Sequence, residues 1–198
     1  MLAIYAVGLM LGGYYGAFSS AVTSVFLPRA TQMTVAKASS EELTDMMIKL
    51  GRISFIILMF VLGAFILYGK QFILLWVGPA YNDAWIITLL IMLAYTIPLA
   101  QGFTGSIIEA QNKVAFKSVV YLIFMALGTF IGYFLAQKYS ALGMIVGSVI
   151  GWVVAQNIMN VYYYKVLKLN VLRFFKELFM RTLPTQLLIV VIGFGINY

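Results

Sequence analysis

Apolar residues run through this chain in long blocks rather than in the strict alternation of a half-buried strand. Read against their polar breaks, the blocks give six candidate helices, at about residues 2–27, 53–77, 84–108, 115–137, 141–163 and 183–198. A bilayer core about 30 Å thick needs roughly 20 apolar residues per helical crossing, and all but the short last block meet that length. Membrane barrels alternate apolar and polar residues along strands of about ten residues, so continuous blocks exclude them. The pattern predicts an all-α, polytopic transmembrane bundle of about six spans. It divides into residues 1–163 with five spans, an amphipathic segment at 164–182 and a final span at 183–198.

Three breaks carry further structure. Pro28 and Arg29 close the first block, and the proline is expected to end that helix. Ser39 followed by Glu42 fits a capping box that starts a helix running into the second span. In the stretch Tyr164 to Arg181, Leu167, Val171, Leu172, Phe174, Phe175, Leu178 and Phe179 fall on one helical face, opposite Lys165, Lys168, Arg173, Lys176 and Glu177. That profile predicts a helix lying in the membrane interface, held by its apolar face and by anionic headgroups.

Composition agrees: 63% of the 198 residues are hydrophobic, 10% are charged, and mean hydropathy is +0.99, the profile of an integral membrane protein. The sequence contains no cysteine and no histidine, which removes disulfides, thiolate metal sites, and the commonest metal ligand and general base. With no catalytic triad, nucleotide loop or carboxylate pair either, the reading is not an enzyme, with no metal and no cofactor. The net charge of +7 is dispersed between apolar blocks rather than gathered on one soluble face, so nucleic acid is not expected as a partner.

The charges also orient the chain. Arg29, Lys37, Lys49 and Arg52 follow the first block, Lys113 and Lys117 follow the third, and Lys165, Lys168, Arg173, Lys176 and Arg181 follow the fifth. The remaining two loops hold Lys70 and Lys138 alone. By the positive-inside rule, residues 28–52, 109–117 and 164–182 are cytoplasmic and Met1 is extracytoplasmic. No inward anchor precedes that outward start, and the charged leader of a signal peptide is missing, so a fragment of a longer transporter is expected.

Within the spans, Gly8, Gly12 and Gly16 form a small-xxx-small ladder that Gly143, Gly147 and Gly151 repeat, with Gly128 and Gly132 adding a pair. Such ladders let backbones approach closely, either within the fold or in a dimer. Pro98 is expected to kink the third span. Apart from Lys70, Asp83 and Glu109 near span ends, ionisable groups are missing from the blocks, which argues against proton coupling through a buried carboxylate. Of the neutral polar groups, Gln101 and Asn157 are the candidates for facing a cavity, with interhelical hydrogen bonding as the alternative.

The stretches AIYAVGLMLGGYYGAFSSAVTSVFLPRATQ, LLWVGPAYNDAWIITLLIML and IIEAQNKVAFKSVVYLIFMALGTFIGYFLAQKYSALGMIVGSVIGWVVAQ, taken in order and spacing, resemble the C-terminal half of polysaccharide transporters, the O-antigen flippases. These belong to the multidrug/oligosaccharidyl-lipid/polysaccharide exporter superfamily with its MATE-like fold. The resemblance implies a bacterial cytoplasmic membrane location and one lobe of a two-lobed bundle around a central cavity. It also implies alternating-access export of undecaprenyl-diphosphate-linked repeat units for polysaccharide biosynthesis. The partners it implies are that lipid-linked oligosaccharide, membrane lipids, an N-terminal lobe and a polysaccharide polymerase. Arg29 then stands as a contact for the diphosphate at the cytoplasmic mouth, or as a plain topology anchor. The rivals are an exporter of drugs or of another lipid-linked substrate, and a non-transporting scaffold of a polysaccharide assembly complex.

Overall fold

A computed structural model describes residues 2–197, and every regular element in that range is helical. Met1 and Tyr198, the ends of the expected first and last segments, lie outside the described residues.

Helix α1 covers Leu2–Val35, so Pro28 does not end it as expected. Proline removes one N–H and crowds the preceding turn. Here the turn beyond it is held by packing, because Ala30 is fully buried in the main core. Arg29 therefore sits within a helix and not at its end. Helix α2, Ser40–Trp76, starts where the capping box places it: the Glu42 N–H donates to Ser39 Oγ at 3.2 Å, and the Ser39 N–H donates to the Glu42 carboxylate at 2.7 Å. The two hydrogen bonds satisfy donors that a helix start would otherwise leave bare. The second helix thus begins well before residue 53.

A turn follows, with Gly78 at φ 91° and a single 3-10 turn at Pro79–Tyr81, and leads into α3, Ala84–Ala100. The expected span at 84–108 is two helices: α3 and α4, Gly102–Ala110, meet at an angle of 50°. The break falls at Gln101 and Gly102, three residues beyond Pro98, where the Gln101 N–H is shared between the Ile97 and Pro98 carbonyls. Helix α1 braces this elbow: Ser19 Oγ donates to the Leu99 carbonyl at 2.7 Å, and Thr23 lies against Gly102. Any side chain at residue 102 would collide with Thr23.

Helix α5, Val114–Lys165, reverses direction at Ser140, whose φ of 55° and ψ of −133° are not helical. Two antiparallel arms result. Phe116 stacks on Tyr162 at 4.5 Å at one end, and Gly128 and Gly132 meet Gly147 and Gly151 in the middle. The chain then turns through residues 166–170 into α6, Val171–Asn197.

The expected helix at 164–182 is not one element in the structure. Tyr164 and Lys165 end α5, and the helix that follows continues past residue 182 without a break. Leu167, Leu169, Val171, Phe174 and Leu178 are buried in the same core as α2, whereas Leu172 and Phe179 of the expected apolar face are exposed. Asn170 caps α6 through the Arg173 N–H at 2.9 Å, and its own N–H donates to Thr44 of α2 at 3.1 Å. Arg173 pairs with Asp45 at 2.8 Å and with Glu177 at 3.0 Å, which turns its guanidinium toward α2. The side chains at residues 185–190 of α6 lie outside the described set.

Among the described residues, Ser40–Trp76 and Val114–Lys165 are long and apolar enough to cross a membrane, and the bent pair Ala84–Ala100 and Gly102–Ala110 adds a third candidate. Leu122, Phe130 and Leu75 lie on the outside at 72%, 63% and 89% exposure. Large apolar side chains turned outward on apolar helices are the surface that lipid requires.

Candidate functional site: a polar cavity at the α3–α4 elbow

A broken helix frees backbone and side-chain polar groups, and in a membrane these must be paired or line a cavity. Both occur at Gln101. The elbow and the two arms of α5 line an open-sided cavity of about 650 Å³. Across one wall runs a hydrogen-bonded chain: Tyr121 Oη donates to Gln156 Oε1 at 2.6 Å, and Gln156 Nε2 donates to Gln101 Oε1 at 2.6 Å. Gln101 and Gln156 are only 2% and 5% exposed, so this chain ties the elbow to both arms in a dry setting where each bond counts for more.

The chain stops one partner short. Gln101 Nε2 and the nearby indole Nε1 of Trp152 are buried donors with no partner. Trp152 lies between Tyr95 at 4.6 Å and Tyr121 at 5.0 Å, giving the cavity an aromatic side. Lys117 also lines the cavity, and none of the described residues lining it is acidic. A pocket offering amide, indole and ammonium donors beside aromatic faces suits a ligand rich in acceptor oxygens.

Two smaller cavities adjoin it. One of about 260 Å³ lies across Pro98 and Gln156 and is lined by Asn157 and Asn160; the other, of about 290 Å³, shares Gly102, Gly105 and Lys117 and reaches Ser20 and Ser24 of α1.

The expected site residues separate in this geometry. Gln101 is central. Asn157 is exposed; its amide donates back to the Val153 carbonyl at 2.8 Å, and the side chain borders only the smaller cavity. Arg29 is exposed and lines none of the three cavities. Pro98 lines the two cavities on either side of it, and the bend lies just beyond. Gly8 and Gly12 meet Ile87 and Ile91 of α3, a Cβ on Gly16 would lie 4.0 Å from Leu99, and Gly143, Gly147 and Gly151 pack against the first arm of α5. These glycines serve contacts inside the fold.

Sequence reasoning passed over Gln156, Tyr121, Trp152 and Lys117. The signal for Gln156 was present: Ile145, Trp152, Gln156, Met159 and Tyr163 follow helical spacing on the inward side, whereas Asn157 falls beside Val153 and Val154, which are exposed. Compared with protein-family models, curated proteins and solved structures, the chain matches none. Apolar helices of spanning length around a polar, donor-lined cavity define its class as a helical membrane protein.

Proposed function

We propose that the chain is the C-terminal lobe of an exporter of lipid-linked oligosaccharides in a bacterial cytoplasmic membrane. In this reading it has six crossings: α1, α2, the bent pair α3–α4, the two arms of α5, and α6. The sequence resemblance supplies the substrate class, and the carrying observation is the cavity at the elbow. A sugar chain cannot enter hydrocarbon without replacements for its hydration. The free donors of Gln101 and Trp152 and the ammonium of Lys117 offer such replacements on the wall of a 650 Å³ space. A cation exporter would want a carboxylate there, and the described residues lining that space include none, Glu109 lining the adjoining smaller cavity. Alternating access then consists of this lobe rocking against a second wall, with the Pro98–Gly102 elbow as the flexible point.

Complementation tests the reading. The chain, co-expressed with the N-terminal half of a related flippase in a strain lacking its own, is expected to restore surface polysaccharide, and the Gln101→Leu variant is expected to fail while reaching the membrane at normal levels. Full restoration by Gln101→Leu would remove the cavity from the transport path.

A further inference from the structure

Lys117 stands between two cavities. It is partly buried, it lines both the main cavity and the cavity beside α1, and its Nζ comes within 3.5 Å of where a Cβ on Gly105 would stand. Gly105 belongs to the first turn of α4, the positive end of that helix. No described carboxylate pairs with the lysine; the ion pairs of the described residues join Arg173 to Asp45 and Glu177. Glu109 lines the same cleft further along α4, without an ion pair to Lys117. On the cavity side stands the Gln101 amide, only 2% exposed, with Nε2 unpartnered. An ammonium, a helix N-terminus and an orphaned amide donor repel or waste one another unless something negative lies between them.

We infer that the cleft between Gln101, Gly102, Gly105 and Lys117 is an oxyanion site that takes a phosphate group. Lys117 supplies charge, the Gln101 amide supplies a directed hydrogen bond, and Gly105, which only the Lys117 ammonium approaches, leaves the first turn of α4 open for a phosphate, while Thr23 covers Gly102. The site rests on the exporter reading, where the phosphate is the diphosphate of a lipid carrier, and gives Lys117 the contact that the resemblance implies for Arg29. The phosphate stands equally for that of a lipid or of a free anion, and the two are separated by experiment.

The test is Trp152 fluorescence of the full chain in detergent, with Trp76 and Trp85 replaced by Phe, titrated with farnesyl diphosphate, inorganic pyrophosphate and farnesol. Farnesyl diphosphate is expected to bind and farnesol not to; pyrophosphate binding equally well would assign the site to a free anion, and its failure to bind would assign it to a lipid-linked one. Lys117→Gln is expected to weaken binding about tenfold, and Glu109→Gln to tighten it, because the repelling carboxylate is gone. Lys117→Arg and Arg29→Gln are expected to stay within about twofold. Added salt should weaken binding. Farnesol binding as tightly as its diphosphate would overturn the site, as would unchanged binding in Lys117→Gln. Should Lys117→Gln not fold, Gln101→Leu with undiminished affinity would overturn it as well. Binding that survives while complementation fails would instead refute the exporter reading and leave the oxyanion site standing.

Discussion

At the scale of the residue, the structure turns on which neutral polar groups are buried together. Gln156 bridges Tyr121 and Gln101, so Gln156→Leu strands a half-buried hydroxyl and a buried amide oxygen. A cost of about 1–3 kcal/mol is expected, whereas Asn157→Leu, which removes only a hydrogen bond back to its own helix, should stay within about 0.5 kcal/mol. Thermal unfolding in detergent compares them, and equal losses would contradict the wiring. The capping carboxylate gives a pH dependence. Hydrogen bonds from the Ser39 backbone N–H, and then from its hydroxyl, hold the Glu42 carboxyl below its ordinary range. A depressed folded pKa means the contribution is present above the unfolded value and is lost as pH falls through the folded one. Amide protection in the first turn of α2 should therefore fall on acidification below about pH 4, and Glu42→Gln should lack that step.

At the scale of the element, the glycines of α5 set how closely its arms approach. A Cβ on Gly147 would meet the Gly132 backbone, which cannot rotate away, while Leu142 is only half-buried. Gly147→Leu should abolish most folded yield and Leu142→Ala should cost little; similar yields would remove close packing as the basis of the hairpin. From Lys117 to Lys138 the first arm rises about 32 Å at 1.5 Å per residue, enough for one bilayer core. A reporter fused after Lys138 is expected to read extracytoplasmic and one after Lys117 cytoplasmic, and the reverse pattern would refute the orientation. The arms were legible in the sequence because their polar break at Lys138–Ser140 interrupts two apolar blocks. The end of α1 was not, because Pro28 is a local signal and the burial of Ala30 that overrides it is tertiary. The same holds for Val171, Phe174 and Leu178, whose apolar stripe fits lipid or protein equally well until the Thr44–Asn170 hydrogen bond and the Asp45–Arg173 ion pair fix α6 on α2.

At the scale of the whole molecule, hydropathy conveyed the all-helical character, and side-chain direction conveyed the cavity. Gln101 was readable because it follows a proline in an apolar block; Tyr121 and Lys117 were not, since they line the cavity only through the tertiary packing of the first arm of α5 beside the elbow. The central claim is that this cavity holds a lipid-linked oligosaccharide. The sequence has no cysteine, so Ser118→Cys places a single thiol on the cavity wall. Labelling it with a water-soluble maleimide, with and without undecaprenyl-diphosphate-linked oligosaccharide, tests the claim most directly. The account predicts that the lipid-linked sugar slows labelling of Ser118→Cys but not of Val35→Cys, which lies exposed at the end of α1. Labelling of Ser118→Cys at the same rate with and without that ligand would contradict it.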